Sequence, residues 1–180
     1  MFLSKTIKGK YIDISSVTES DAEFIIALRS DEDKTKFLHK IDTNLSKQKE
    51  WIKEQIARDN DFYFVYSNKS GERRGLASIY NIDENNKSAE FGRWISIGNV
   101  FENLESVILI FDFAFENFDI DTICLNMVKG NDYVTNFWKT FGAKNIGLVF
   151  ESDLCIDKWI VTKTEYYSSI RLKQTKLLRY

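Results

Sequence analysis

The sequence is poor in the residues that usually build metal centres and disulfide frameworks. Its 180 residues include one histidine, His39, and two cysteines, Cys124 and Cys155, which lie far apart and form no CxxC spacing. Such a set makes no recognisable group of ligands, so we expect no bound metal. Both cysteines fall in strand-like segments, and we expect them to be reduced core thiols. Proline is absent altogether, which we interpret as a composition bias without functional content.

The chain also lacks a strong charge of either sign and a long apolar run. Its formal net charge of -2 gives no field that would collect nucleic acid or an anionic membrane. The longest apolar run, 107–115, contains Asp112 and has roughly half of the ~20 residues that a membrane span needs. No apolar signal region begins the sequence. We therefore expect a cytoplasmic protein that binds neither nucleic acid nor a membrane.

What the sequence does have is apolar and aromatic side chains, which make up 43% and 14% of its residues and suffice for one domain over 1–180. The clearest pattern begins at Lys87 with a period of two residues, which is typical of a strand. The alternation predicts one face with Ala89, Phe91, Ile95 and Ile97, and another with Glu90, Gly92, Trp94 and Ser96. After a short turn, apolar residues recur at helical spacing from Leu104 to Phe118 and leave little polar face, which predicts a buried helix.

A helix that begins directly after a strand directs unpaired backbone N–H groups, and the positive end of its dipole, towards whatever lies over the turn. The turn from Gly98 to Asn103 is such a place. It suits the phosphates of a nucleotide-like cofactor. A plain strand–helix connection in the core accounts for the same pattern, and the pattern alone does not separate the two interpretations.

The rest of the chain alternates between strand and helix patterns, with no internal repeat and no linker. Strands are predicted at 9–15, 62–66, 75–81, 122–128, 146–152 and 155–164, and helices after Thr18, at 47–58 and at 133–141. This order predicts an α+β fold with a mixed, mostly antiparallel sheet flanked by helices. The tail, 165–180, is not assigned, and a short helix or an interface arm both remain open.

The predicted order resembles that of the GCN5-related N-acetyltransferases (GNAT) over about Lys10 to Thr164. The stretch from Asn131 to Gly142, NDYVTNFWKTFG, is similar to the family helix beside the cofactor, and AEFGRW at 89–94 is similar to the family's fourth strand. AEFGRW, followed by Glu105-Ser106 and an apolar helix, is also similar to a branch that acts on nucleotide-linked amino sugars in polysaccharide biosynthesis. The resemblance implies a single GNAT-like domain that transfers acetyl from acetyl-CoA to a small-molecule amine by direct attack.

Two positions depart from the family pattern. The pyrophosphate turn of the family carries small residues where this sequence has Phe101 and Asn103. Glycine at such positions lets backbone N–H groups approach phosphates closely, so either the cofactor is held differently here or its binding has been lost. Where the family often has a tyrosine acid stands Trp138, whose indole cannot deliver a proton to a departing thiolate.

The expected chemistry directs attention to titratable side chains. Attack on a thioester needs a neutral amine, so the site must take a proton from an ammonium ion and must polarise the thioester carbonyl. Glu90 is the first candidate for the catalytic base, because the alternation sets it opposite the apolar face and close to Gly92, which is expected to leave room for a ligand. An ordinary strand glutamate is the alternative. His39 is the second catalytic candidate, because it titrates near neutral pH and lies where family members bind the acceptor. An ordinary loop histidine is the alternative there.

The resemblance also implies which residues contact the two substrates. Cofactor contacts are expected from the end of the strand, the start of the buried helix and the later helix, namely Ile95, Ser96, Ile97, Asn103, Leu104, Glu105, Ser106, Asn131 and Trp138. Phe37 and Trp94 are expected to stack on the acceptor, unless they only pack in the core. Arg93 is expected to pair with an acceptor diphosphate, unless it is a solvated strand charge.

The leading hypothesis is an N-acetyltransferase for a nucleotide-linked amino sugar. Transfer to a protein N-terminus or an aminoglycoside is an alternative, and an acidic cleft would favour those cationic acceptors, whereas a basic rim would favour a diphosphate. A GNAT-fold binding module without catalysis is a third interpretation, consistent with Phe101 and Trp138. The sequence leaves a homodimer open.

Overall fold

The computed structural model describes residues 1–38, 40–151 and 154–179, which are organised around an eight-stranded sheet. The strands are β1 (Ile7–Lys8), β2 (Ile12–Ser16), β3 (Asp61–Asn68), β4 (Arg73–Asp83), β5 (Ser88–Ser96), β6 (Thr122–Val128), β7 (Lys144–Glu151) and β8 (Leu154–Thr162). Their order in the sheet is β1-β2-β3-β4-β5-β6-β8-β7. β5 and β6 are parallel, and the other neighbours are antiparallel. The predicted α+β fold with a mostly antiparallel sheet is confirmed.

Helices cover both faces of this sheet. They are α1 (Ala22–Arg29), α2 (Glu32–Thr35), α3 (Leu45–Ile56), α4 (Val100–Asn117), α5 (Asp132–Phe141), α6 (Lys163–Glu165) and α7 (Arg171–Leu177), with a π-helical turn at Tyr166–Ile170. Side chains of α1 and α3 form one apolar cluster with β3, β4 and β5. Those of α4, α5 and the C-terminal helical segment form a second cluster on the opposite face. Within the described ranges no helix is both long enough and apolar enough to span a bilayer.

The long apolar helix is buried, as predicted, but it begins at Val100, four residues before the predicted start. The reason is its cap. Oδ1 of Asn99 accepts hydrogen bonds from the backbone N–H groups of Phe101 and Glu102, at 2.9 and 3.1 Å. The Glu102 carboxylate in turn accepts the N–H of Asn99 at 2.8 Å. This reciprocal arrangement is a capping box, which stabilises the first turn of a helix.

The tail that the sequence left unassigned is helical and packs against α4. The buried hydroxyl of Tyr166 donates hydrogen bonds to the carbonyl of Ile108 at 3.1 Å and to Asp112 at 2.9 Å. Arg171 donates two hydrogen bonds to the same aspartate, at 2.8 and 2.9 Å. Of the two interpretations left open, a helix is therefore present. Asp112, which interrupts the longest apolar run of the sequence, therefore links α4 to the C-terminal helical segment.

A bulge in β5 overturns part of the predicted alternation. The pairing with β4 passes from Gly92 opposite Ser78 to Ile95 opposite Leu76, and Arg93 has a left-handed φ of 49°. The extra residue inverts the faces of the strand, so Phe91 and Ile95 pack in different clusters and Trp94 lies with Phe91. The prediction of one face for Phe91 and Ile95 is therefore wrong beyond Gly92.

The cysteines also differ from expectation. Both lie on strands and both are free, but each is half-buried. Cys124 pairs in register with Glu90, so it faces away from Ile123 and Leu125, the buried neighbours on either side of it. The prediction of core thiols is wrong for this reason.

Candidate active site

A cleft opens where β5 and β6 separate. The two strands pair from Ser88 opposite Thr122 to Phe91 opposite Leu125, and the pairing ends there although both strands continue. The cleft has a volume of about 1290 Å³ and is walled by the ends of these strands, residues 36–38 and 40–42, α3, α5 and the start of β8. A pair of parallel strands that separates leaves backbone groups available for a ligand.

Glu90 lies in the wall of this cleft, on β5 one residue before the separation. Nδ2 of Asn81 donates to its Oε1 and Nδ2 of Asn126 donates to its Oε2, both at 2.9 Å. The carboxylate is thus bound on both oxygens and has a fixed orientation. Each carboxylate oxygen accepts more than one hydrogen bond, so a further donor can still approach.

Asn81 reaches Glu90 because β4 is irregular at this point. The register with β5 shifts between Tyr80 and Asp83, and Asn81 has a φ of 49°, in the left-handed region that asparagine tolerates better than most residues. A regular strand would send the side chain of Asn81 to the face opposite Tyr80 and Glu90. The bulge therefore brings a second amide to the carboxylate.

Tyr80 lies directly across from Glu90 in the β4–β5 register. Burial, and next the charge of Glu90, raise the pKa of the Tyr80 phenol to about 12. Its hydroxyl also fills the space above Gly92, where an added Cβ would come within 2.8 Å of the oxygen. The sequence-based expectation that Gly92 leaves room for a ligand beside Glu90 is wrong at this point, because the phenol occupies that room.

Arg93, at the bulge, lines the cleft but is already paired. Its guanidinium donates two hydrogen bonds to Asp61, at 2.6 and 3.0 Å, and Asp61 is buried. The guanidinium also lies 4.6 Å from the ring centre of Tyr80. Two-point pairing of this kind fixes an arginine strongly. An acceptor diphosphate would therefore have to compete with Asp61 for the guanidinium, and the pairing expected from the sequence remains a prediction.

Phe37 and Trp94, which were predicted to stack on the acceptor, both lie in the cleft wall. Trp94 packs against Phe137 and Trp138, with ring centres 4.7 and 5.8 Å apart, and the side chain of Trp138 is buried. Phe37 is half-buried and lines the cleft beneath the ammonium group of Lys36, 5.4 Å from its ring centre. The second catalytic candidate, His39, falls outside the described residues. The acceptor contacts of these aromatic rings remain predictions.

Asn131 and the start of α4 were predicted to contact the cofactor. Asn131 lines the cleft and caps α5, with its Oδ1 3.4 Å from the backbone nitrogen of Val134. The start of α4 does not contribute to the cleft wall as Asn131 does, since none of residues 95–106 lines this cleft. Phe101 stacks on Tyr11, with ring centres 5.5 Å apart.

The polar side chains at the start of α4 make hydrogen bonds within the protein. Oδ1 of Asn103 accepts hydrogen bonds from the hydroxyls of Ser96 and Tyr66, and the hydroxyl of Ser106 donates to the carbonyl of Asn103 at 2.8 Å. The carboxylate of Glu105 is fully buried. It accepts three backbone N–H groups, those of Lys10, Tyr11 and Ile12.

These contacts restrict how the start of α4 could bind a cofactor. Leu104, Glu105 and Ser106 are buried, so their side chains are not available to a bound cofactor. The backbone N–H of Ile97 is also occupied, because it donates to the carbonyl of Arg74 at 2.8 Å. The Asn99 side chain occupies two of the N–H groups that were expected to meet phosphates. Cofactor contacts in 95–106 remain a prediction, now directed to backbone atoms.

The wall of the cleft carries more positive than negative side chains. The charged residues of its wall are Arg29, Lys36, Lys40, Lys47, Arg93, Asp42, Glu90 and Glu151. Lys47 is paired with Asp42 at 2.7 Å. In the part of the chain that the structure describes, Lys36 and Lys40 make no ion pair, and both are exposed. We call these two lysines the basic rim. No group of His, Cys, Asp and Glu suited to a metal occurs among the described residues.

Several residues of the site were not found from the sequence. Asn126 was detectable in principle, because it is two residues from Cys124 and a strand repeats its faces every two residues. No sequence pattern pointed to Asn81, Tyr80 or Asp61. Two strand irregularities decide two of these contacts: the one in β4 brings Asn81 to Glu90, and the one in β5 brings Arg93 to Asp61. A pattern of period two does not show where a strand bulges.

Residues 12–144 match the family described as the acetyltransferase (GNAT) domain. The chain is similar to the solved structure of apo FdhC, described as a nucleotide-linked sugar GNAT, with 26% identity over 96% of this chain and 98% of that chain and a TM-score of 0.79. No curated protein sequence gives a significant match.

Two further solved structures share the fold at lower identity. One is a GCN5-related N-acetyltransferase from Brucella melitensis, with 16% identity, 97% and 85% of the two chains covered, and a TM-score of 0.84. The other is spermidine N-acetyltransferase from Vibrio cholerae in complex with CoA and spermine, with 16% identity, 88% and 99% covered, and a TM-score of 0.78.

Proposed function

Because the chain belongs to the GNAT family and is therefore an acetyl-CoA-dependent N-acetyltransferase, we propose that its acceptor is the amine of a nucleotide-linked amino sugar. The observation that carries the proposal is the basic rim, Lys36 and Lys40, in the wall of the cleft. Exposed lysines attract the diphosphate of a nucleotide sugar and repel a polyamine. The 26% identity to the sugar GNAT over nearly the whole chain supports the same acceptor class.

Glu90 acts as the base in this proposal. The acceptor amine is protonated near neutral pH, and it attacks a carbonyl carbon only after losing a proton. The carboxylate held by Asn81 and Asn126 accepts that proton, directly or through a water molecule. Its position next to the strand separation lets the base and the acyl donor meet in the same cleft.

Acetyl-CoA supplies the acetyl group. The separation of β5 and β6 fits the narrow thioester end of such a donor, because backbone groups of β5 beyond Phe91 face the cleft instead of a strand. A backbone N–H there can polarise the thioester carbonyl. The start of α4 fits the diphosphate less well, since the capping side chain of Asn99 already occupies two amides. Trp138 is unable to donate a proton to the leaving thiolate.

The proposal places the enzyme in the cytoplasm, where nucleotide sugars are made for cell-surface polysaccharides. Its test is the release of free thiol when the protein is mixed with acetyl-CoA and each of several acceptors. The panel contains nucleotide-linked amino sugars, the matching sugars without the nucleotide, spermidine, an aminoglycoside and a peptide with a free N-terminus. We expect turnover with a nucleotide-linked amino sugar and little with the others.

The result that would overturn the acceptor class is turnover with spermidine, the aminoglycoside or the peptide and none with any nucleotide sugar. A different outcome separates the binding-module alternative. If acetyl-CoA neither raises the melting temperature nor gives heat in a calorimetric titration, the chain does not bind the donor. A protein of the same fold without acetyl transfer would then replace both enzyme interpretations.

A further inference from the structure

Tyr80 places a hydroxyl group between the candidate base and the point where β5 and β6 separate. It lies directly opposite Glu90 in the β4–β5 register, lines the same cleft and is half-buried. Its ring leans along β5, because an added Cβ on Gly92 would come within 2.8 Å of the phenolic oxygen. The hydroxyl therefore lies at the level of Gly92, just beyond Phe91, the last residue of β5 that pairs with β6.

This level of the strand is where the two substrates would meet. In the proposed function a backbone N–H of β5 beyond Phe91 polarises the thioester carbonyl, so the acceptor amine has to approach the same residues. Glu90 and Gly92 lie on one face of β5, since the bulge follows Gly92. Their Cα atoms are about 7 Å apart, because a strand rises ~3.4 Å per residue. An amine at Gly92 is thus beside the Tyr80 hydroxyl and two residues away from the base.

We infer that Tyr80 is a further catalytic residue, whose hydroxyl passes the proton of the acceptor ammonium group to Glu90. Since Glu90 is the base of the proposed function, this role rests on that proposal, but on no particular acceptor amine. An N–H bond of the ammonium breaks as an O–H bond forms on Tyr80, and the original phenolic proton moves to a carboxylate oxygen of Glu90. The amine becomes neutral, Tyr80 stays neutral and Glu90 becomes protonated. The hydroxyl thus takes the place of a bridging water molecule.

The chemistry of Tyr80 suits a relay and not a base that acts alone. Burial, and next the charge of Glu90, raise the pKa of its phenol to about 12, so at neutral pH the side chain keeps a proton to donate. Hydrogen bonding to Glu90 raises the pKa of Tyr80 further, which places the hydroxyl near the carboxylate. A phenol donates one hydrogen bond while its oxygen accepts another, so it can bridge an ammonium group and a carboxylate without ionising.

Side chains on both neighbouring strands hold the ring of Tyr80 in this orientation. The guanidinium of Arg93, on β5, lies 4.6 Å from the ring centre, a distance typical of a cation–π contact. Asp61, directly opposite Tyr80 on β3, accepts two hydrogen bonds from that guanidinium, at 2.6 and 3.0 Å. The bulge at Arg93 brings the guanidinium to this place. Arg93 and Asp61 therefore position the hydroxyl that transfers the proton.

The test is the kcat of Tyr80→Phe, measured by thiol release at saturating acetyl-CoA with the amine that the enzyme turns over fastest. Phenylalanine keeps the ring beside Arg93 and removes only the hydroxyl. We expect kcat to fall roughly 10²-fold, because a proton-transfer group is lost, while the KM for acetyl-CoA and the melting temperature stay close to wild type.

Tyr63→Phe is the matched control. Burial raises the pKa of the Tyr63 phenol to about 12 as well, but the charges that act on it come from Arg29, Arg93 and two aspartates, and not from Glu90. Its kcat should stay close to wild type. An equal loss in both variants would overturn the relay, because any buried hydroxyl, and not the one beside Glu90, would then account for the effect.

A double-mutant cycle tests the link between Tyr80 and Glu90. If both groups handle the same proton, Tyr80→Phe/Glu90→Gln turns over no more slowly than Glu90→Gln alone, because residues that act as a unit are not additive. Losses that multiply in the double variant overturn the relay. A Tyr80→Phe enzyme at the wild-type rate beside a slow Glu90→Gln enzyme overturns the relay and keeps the proposed base. A Glu90→Gln enzyme at the wild-type rate overturns the base, and the relay with it.

Discussion

Glu90 and Asn126 lie on neighbouring parallel strands, and Nδ2 of Asn126 donates a 2.9 Å hydrogen bond to Oε2 of Glu90. This bond links β5 to β6 at the place where their backbone pairing ends, after Phe91 and Leu125. A base works only when its oxygen is held within reach of the proton that it takes. The amide holds the carboxylate in the wall of the cleft, and in the proposed mechanism it positions the base.

Removing this amide should lower turnover without unfolding the protein. We expect Asn126→Ala to reduce kcat roughly 10-fold, because small errors in the position of a catalytic group are costly. The KM for acetyl-CoA and the melting temperature should stay close to wild type, since Asn126 is exposed and its bond is at the surface. Asn117→Ala, at the exposed end of α4, is the control. An unchanged kcat would remove the positioning role.

The basic rim should matter for the nucleotide part of the acceptor. Lys36→Glu/Lys40→Glu is expected to raise the KM for a nucleotide-linked amino sugar roughly 10-fold, since reversed charges repel a diphosphate. The KM for acetyl-CoA should not change. Lys173→Glu/Lys176→Glu, on the exposed side of α7, is a control with the same change of charge at a distant site. Equal losses in the rim variant and in the control would show that the rim does not recognise the acceptor.

Buried tyrosines should make the fold sensitive to alkali. Burial raises the pKa of Tyr63 and of Tyr66 to about 12. In the unfolded chain a tyrosine ionises near 10. A group whose pKa is higher in the folded state contributes stability that is complete below its unfolded pKa and is lost as the pH rises towards the folded value.

We therefore expect the contribution of these tyrosines to the free energy of unfolding to be constant below about pH 10 and to fall between about pH 10 and pH 12. Urea denaturation at a series of pH values measures this. Tyr66→Phe loses the hydrogen bond to Asn103, so its stability is lower throughout, but its decline with pH should be less steep. If the free energy of unfolding of Tyr66→Phe fell as steeply with pH as that of wild type, Tyr66 would not be a cause of the decline.

The glycine that ends α5 should resist substitution. Gly142 has a φ of 115°, and an added Cβ would come within 3.1 Å of Ile170 on the C-terminal helical segment. Both the backbone strain and the close contact act against alanine, so Gly142→Ala should lower the free energy of unfolding by about 1–2 kcal/mol. Gly71→Ala is a useful comparison, because that φ is also positive, at 85°, but no atom lies near the added Cβ. Equal losses would mean that Ile170 does not matter.

Much of the fold could be predicted because it depends on local signals. The apolar stripe of α4, the turn residues between the strands and the glycine after α5 all act within a few residues, and each predicted element is present. The observed ends of helices differ from the predicted ends where a capping side chain determines them. The side chain of Asn99, for example, caps α4 at a point before the start of its apolar pattern. The tail at 165–180 could not be predicted, because it is held by the distant Asp112 and Ile108.

The site was harder to predict, since it depends on irregularities in the strands. Glu90 lies in the wall of the cleft, and its place there follows from the regular part of β5, while its role as base remains a prediction. The faces predicted for Trp94 and Ile95 were wrong, because the extra residue in the bulge at Arg93 reverses which side chains point to each face of the strand. The partners of Arg93 and Glu90 come from β3, β4 and β6, and a period read along one strand holds no information about neighbours brought together by bulges.

The most direct test of the account is the rate of thiol release by Glu90→Gln, compared with wild type, at saturating acetyl-CoA and acceptor. Glutamine keeps the shape of the side chain but cannot take a proton. Glu72→Gln is the matched control, because Glu72 also accepts a hydrogen bond from an asparagine amide, that of Asn68 at 2.7 Å, and it does not line the cleft. The account predicts a fall of on the order of 10²-fold or more for Glu90→Gln and little change for the control. A Glu90→Gln enzyme that turns over at the wild-type rate would contradict it.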